Sequence, residues 1–290
     1  MTSASPDKLF IIGAPRSGTN ILRDVLTSFP YFKTWDCDEI NYAWRYSNAN
    51  YDSDELTTEH ATLKVKNYIN KKFNSLKKDE NAFYIVEKTC ANCLRVEFIN
   101  EIFPGSTYIY IYRDPFDVVA SSLLRWKSKI DITYLLKKVI HVPIEDIPYY
   151  SKKFLKLRIK KLFSKDNILD SWGPRFKGID EFRKTSTIEN LCLEQWIRCC
   201  SKAEKSLLKL YESGSKVLFV SYEDFVMEPE ISITKILNKL DIKLDYTYLK
   251  SVSKKVFPSS VGKYKNKLTK TQIENIKETL NNFDYELMAL

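Results

Sequence analysis

The chain has 290 residues, 44% of them hydrophobic and 13% aromatic, enough for a substantial core. Its 46 Lys and Arg against 37 Asp and Glu leave a net charge of +9. That favours anionic ligands such as a polyphosphorylated nucleotide; no helix-turn-helix, zinc-finger or RNA-binding signature asks for nucleic acid. No apolar run approaches the roughly 20 residues that span a bilayer, and the polar start Met1 to Asp7 predicts a cytoplasmic chain without leader or membrane anchor.

The first predicted element is a buried strand, Lys8 to Ile12. It runs into Gly13-Ala-Pro-Arg-Ser-Gly-Thr19 and then a helix from Thr19 to Ser28. Gly13 and Gly18 let the backbone turn and approach a ligand, while the amides of Ser17, Gly18 and Thr19 open the helix, where its dipole attracts an oxyanion. The loop, Pro15 to Asn20, is therefore a phosphate site. It lacks the Lys-Ser/Thr pair that ends an ATP or GTP P-loop, and Arg16 supplies the cation instead.

Further strands are predicted at Ala82 to Val86, Thr107 to Tyr112 and Lys216 to Val220. Helices are predicted at about Asn92 to Ile102, Pro115 to Trp126, about Ile188 to Ser213, Pro229 to Leu240 and Thr269 to Asn281, with Pro115 and Pro229 at first turns and Gly214 as a cap. Strand alternating with helix implies a mainly parallel α/β sheet covered on both faces. The reading is one domain, 1–290, with a lysine-rich helical insertion at 127–184. Within it Ser151 to Lys161 carries six basic residues and no acid, either a solvated amphipathic helix or a contact for an acidic acceptor or peripheral membrane surface. The six cysteines show no disulfide framework, and Cys90-Ala-Asn-Cys93 is a lone C-x-x-C, so reduced thiols and no metal site are expected.

Two more segments carry chemistry. Arg113 ends the third of these strands, with Ser121 eight and Arg125 twelve residues on; Glu87-Lys88-Thr89 ends the second. Both would lie at the carboxyl edge, where open α/β sheets bind ligands. Together with the G-A-P-R-S-G-T loop, these motifs resemble sulfotransferases that use 3′-phosphoadenosine 5′-phosphosulfate (PAPS), in particular the bacterial and tyrosylprotein-like branch. That resemblance implies the P-loop-containing sulfotransferase-like fold, with PAPS as co-substrate and no metal. Residues Pro15 to Asn20 would hold the 5′-phosphosulfate, and Arg113, Ser121 and Arg125 the 3′-phosphate. Lys88 would steady the sulfonate and the departing oxygen.

Cytosolic-type members place a basic histidine two residues after the lysine; here that position is Cys90. The tyrosylprotein and heparan-type branches draw their base from a glutamate some twenty to thirty residues after the loop, which points to Glu39, with Asp38 as the alternative. Val217 to Phe225 matches the family's late strand and Y-E-D turn, with Tyr222 either bordering adenine or packed at the strand end. Lys263 lies in the closing loop as a nucleotide contact, and Phe257-Pro258-Ser259 replaces the R-K-G triplet of cytosolic-type enzymes.

The acceptor stays open between small molecule, glycan, lipid and peptide. The insertion and the aromatics Tyr42, Trp44, Tyr46 and Tyr51 are expected to shape its pocket. A P-loop kinase or NTPase with an eroded lysine, and a non-catalytic nucleotide-binding relative, are the rival readings.

Overall fold

A computed structural model describes residues 6–76, 82–128, 138–153, 155, 172–281 and 283. Five strands, β1 (Asp7–Ile12), β2 (Phe32–Lys33), β3 (Tyr84–Glu87), β4 (Thr107–Tyr112) and β5 (Val217–Ser221), form one sheet in the order β2-β3-β1-β4-β5. Every pairing is parallel. In the central strand Phe10 aligns with Glu87 on one side and Tyr108 on the other, which brings the ends of β1, β3 and β4 together.

Alternation along the strands divides the core between the two faces. Phe10, Ile12, Ile85, Tyr108 and Tyr110 face the helices Leu63–Asn74, Val96–Ile102, Pro115–Trp126 and Ile188–Glu212, where Trp44, Phe73, Phe98 and Trp196 complete an aromatic-rich layer. Leu9, Ile11, Val86, Ile109 and Ile111 face the helices Thr19–Leu26, Tyr222–Met227, Pro229–Lys239 and Tyr246–Ser253. Phe10 touches the rings of Trp44, Phe73, Phe103 and Tyr108 within 6.0 Å, so truncating it to Ala would cost about 3–5 kcal/mol.

Most predicted elements form within a residue or two of their expected limits. Three differences have local causes. The helix expected from Asn92 begins as a 3-10 turn, Cys90–Leu94, and turns α-helical only at Val96. β2 is two residues long, too short to leave a periodic pattern. The helix Leu63–Asn74 presents its apolar face as Val65, Ile69 and Phe73, embedded among lysines and asparagines. Trp44 is a core residue, fully buried against Phe10, rather than part of an acceptor pocket. All six cysteines are free. The expected basic helix at Ser151 to Lys161 falls largely outside the described residues.

Because all five strands run the same way, Gly13 after β1, Lys88 after β3, Arg113 after β4 and Tyr222 after β5 emerge at one edge. That edge is the carboxyl end of the sheet, where helix N-termini also point.

Candidate functional site

The loop after β1 turns in very little space. A Cβ at Gly13 would lie 2.6 Å from the Ile111 carbonyl oxygen, and one at Gly18 would lie 2.3 Å from Cδ2 of Tyr222. Gly18 also has φ +89°, and Arg16 has φ 71°, a left-handed conformation that non-glycine residues adopt at a cost. The turn closes with Ser17 N–H donating to the Ala14 carbonyl at 3.1 Å, and the Thr19–Leu26 helix starts at once.

The strained backbone aims Arg16 across the site. Its Nε donates to Ser121 Oγ at 2.9 Å. Arg113 Nη1 donates to the Arg16 carbonyl at 2.9 Å and its Nη2 to the Ser260 carbonyl at 2.6 Å, while its guanidinium lies 4.1 Å from the centre of the Tyr222 ring. Burial, joined by the charges of Arg125 and Arg113 and opposed by Cys90, pushes the Arg16 guanidinium below its ordinary value. Three arginines thus share one small volume, an arrangement that asks for a multiply charged anion. Two buried polar atoms here, Ser17 Oγ and Arg113 Nε, have no hydrogen-bond partner. A phosphate group supplies acceptors for both, so the residues present fit a phosphorylated ligand.

Pro15 and Ser17 are buried, and Asn20 is exposed on the first turn of the helix. Tyr222 is the first residue of its helix and is 5% exposed, wedged between Gly18 and the Arg113 guanidinium. Lys263 is exposed and opens the 3-10 turn Lys263–Asn266. That turn is held to the Pro115–Trp126 helix by a residue the sequence did not single out. Asp117 accepts from Gly262 N–H at 2.6 Å and Tyr264 N–H at 2.9 Å.

The second half of the site gathers around Glu39. Its Oε1 accepts from Lys88 Nζ at 3.2 Å and from Cys90 N–H at 3.3 Å, and its Oε2 accepts from Lys138 Nζ at 3.0 Å. Burial works to raise the Glu39 carboxyl, but Lys88 and Lys138 overcome it and hold the group well below the usual carboxylate range. Burial likewise works against the Lys88 ammonium, and Glu39 outweighs it, keeping that lysine above its ordinary value. Burial and then the Glu39 charge push the Cys90 thiol up to about 12, so this thiol stays protonated at neutral pH and offers no base. Its Sγ lies 3.8 Å from Thr19 Oγ1, which joins the two halves of the site.

Behind the site a buried polar chain fixes the β3 edge. Thr89 Oγ1 donates to Glu87 Oε1 at 2.5 Å and accepts from Ile40 N–H at 3.2 Å, while Asn92 Nδ2 donates to Glu87 Oε2 at 2.6 Å. Arg95 then links Asn92 Oδ1 to Asn41 Oδ1. Residues 39–41 are therefore clamped to residues 87–95 by several bonds at once. Of the aromatics expected at an acceptor pocket, Tyr42 meets Tyr150 edge to face, ring centres 4.7 Å apart, and Tyr46 stacks on Tyr68 at 3.9 Å.

Among the described residues no group of three or more His, Cys, Asp or Glu side chains could hold a metal ion, and no helix is long and apolar enough to cross a membrane. A family model described as "Sulfotransferase family" matches residues 6–170, more than half of the chain. No curated protein matches it. The fold is similar to that of a sulfotransferase domain from the curacin biosynthetic pathway, at 14% identity and TM-score 0.51, over 95% of this chain and 98% of that one. It is also similar to mouse sulfotransferase SULT7A1 complexed with PAP, at 15% identity and TM-score 0.52, over 97% of this chain and 85% of that one.

Proposed function

Because this chain belongs to the sulfotransferase family, we propose that it transfers the sulfonate of PAPS to an acceptor hydroxyl or amine by in-line displacement. The observation that carries the reading is the convergence of Arg16, Ser121 and Arg113, with Ser17 Oγ and Arg113 Nε buried and unpartnered beside them. Such a cluster suits a ligand with phosphate at two positions, which distinguishes PAPS from ATP.

The loop Pro15 to Asn20 holds the 5′-phosphosulfate by backbone N–H groups, the Ser17 hydroxyl and the Arg16 guanidinium. Arg113, Ser121 and Arg125 hold the 3′-phosphate. Tyr222 stiffens Arg113, and Lys263 adds a cation from the closing turn. Donor binding is thus largely a matter of fixed positive charge, which also gives the transition state its stabilisation.

In the transfer, the acceptor oxygen forms a bond to sulfur as the bond from sulfur to the bridging phosphate oxygen breaks. The electron pair of that bond stays on the 5′-phosphate oxygen, where Lys88 balances the growing charge. The acceptor proton passes to Glu39, which is ionised at neutral pH. The bonds from Lys88, Lys138 and Cys90 N–H anchor Glu39 at this edge, which supports it as the base.

The test is in two steps. 3′-Phosphoadenosine 5′-phosphate (PAP) at 100 times its Kd should stabilise the protein by about 2.7 kcal/mol in thermal unfolding without divalent ions, and ATP much less. Labelled PAPS incubated with an acceptor panel or cell extract should then yield labelled product. Stabilisation by ATP that depends on magnesium would favour the kinase reading instead.

A further inference from the structure

Lys138 is one of the first described residues after the 129–137 stretch, and it belongs to the insertion. Its turn lies against the segment that carries Glu39. Lys138 Nζ reaches Glu39 Oε2 at 3.0 Å, its charge is felt at Cys37 and Tyr42, and His141, whose N–H bonds the Lys138 carbonyl, lies near Asp36.

The two oxygens of Glu39 are held very differently. Oε1 is committed to the protein interior, to Lys88 with a side chain 1% exposed and to the Cys90 amide at the fixed β3 edge. Oε2 is bonded to Lys138, whose side chain is 17% exposed and comes from outside the sheet. An acceptor hydroxyl approaching Glu39 would therefore compete for Oε2, and the partner it could displace is Lys138.

We propose that Lys138 is a positioning residue for the base: it holds Glu39 Oε2 until an acceptor hydroxyl takes its place, which makes the insertion part of the catalytic apparatus. This rests on the reading of Glu39 as the base. Lys138 keeps its own proton throughout; the acceptor proton goes to the Glu39 oxygen that Lys138 has released. A flexible ammonium suits this role, because it is one point charge on a long stem and can swing aside without losing hydration.

The titratable groups facing Glu39 are the Lys88 ammonium and the protonated Cys90 thiol from the β3 edge and the Lys138 ammonium from the insertion, with Asp38 beside it in the chain. Removing Lys138 takes away one of two opposing cations, and an opposite charge at this range lowers a carboxyl by about 1–3 pH units. The experiment follows the Glu39 Cδ resonance in glutamate-labelled full-length protein, assigned by its disappearance in Glu39→Gln. Lys138→Met should raise the Glu39 midpoint by about 1–3 pH units and Lys138→Arg should restore most of the wild-type value. PAP affinity, measured by calorimetry, should be unchanged in both.

The kinetic arm uses PAPS hydrolysis, with water as acceptor. The acid limb of its pH profile should move upward in Lys138→Met alongside the resonance. A Glu39 midpoint that does not move in Lys138→Met, or a loss of PAP binding equal to the change in rate, overturns the proposal. If the midpoint moves but Glu39→Gln transfers sulfonate at the wild-type rate, the assignment of Glu39 as base fails while its contact with Lys138 stands.

Discussion

Arg16 and Ser121 lie 105 residues apart, and the guanidinium Nε of the first donates to the hydroxyl of the second at 2.9 Å. The contact joins the loop after β1 to the helix after β4, so two parts of the proposed donor site hold each other in place.

Replacing Arg113 tests that mutual dependence. Lysine at this position keeps the charge but loses the fork that spans the Arg16 and Ser260 carbonyls and the flat face that lies on Tyr222. Arg113→Lys should weaken PAP binding by about 1.5–3 kcal/mol, roughly ten- to hundredfold in Kd by calorimetry.

Gly18→Ala strikes the site through its backbone. The added methyl would sit 2.3 Å from the Tyr222 ring, at a φ of +89°. Left-handed strain and overpacking together should cost about 2–4 kcal/mol of stability, seen as a lowered thermal midpoint, and PAP affinity should fall as Tyr222 is displaced from Arg113.

Glu39→Gln should abolish transfer while leaving PAP binding intact. It also leaves the buried Lys88 ammonium without its counter-charge, a loss of about 3 kcal/mol at neutral pH. Glu39 is depressed in the folded state, so its contribution to stability is present above the unfolded carboxyl value of about 4.3 and is lost as pH falls through the folded value. The stability gap between wild type and Glu39→Gln should accordingly be constant near neutrality and close in acid, as denaturant melts at stepped pH would reveal.

Asp117→Ala should free the closing turn. Without its carboxylate, the Gly262 and Tyr264 amides lose their acceptor, and Arg113 loses the negative charge 3.8 Å away. Hydrogen exchange at residues 260–264 should speed up markedly, with PAP affinity reduced about tenfold.

How much of this could be read in advance follows from the range of each interaction. The run Tyr108 to Trp126 carries its own signals, an apolar strand, Asp114 as cap, Pro115 in the first turn, and it forms within the expected limits. The helix Leu63–Asn74 was readable in principle from Val65, Ile69 and Phe73, but the seven lysines and asparagines among them obscure the spacing. Glu39 stood out only through family resemblance, since nothing local marks it. Its partners Lys88 and Lys138 lie 49 and 99 residues away. Lys138 was one lysine among many in the lysine-rich stretch 127–184, and only the folded chain distinguishes it. Asp117 carries no local signal either, since its partners Gly262 and Tyr264 lie some 145 residues on.

The bond from Arg113 to the Ser260 carbonyl spans 147 residues, and it has a consequence for how the protein is made. A ribosome-bound chain that has emerged only just past β4 already contains the loop after β1, Arg113 and the Arg16 carbonyl it donates to, but two of the groups that hold that guanidinium do not yet exist. Tyr222 arrives with β5, and Ser260 later still. On the proposed function, complete nucleotide capture would wait until nearly the whole polypeptide has been synthesised, so the ligand would stabilise finished molecules more than truncated or half-made ones.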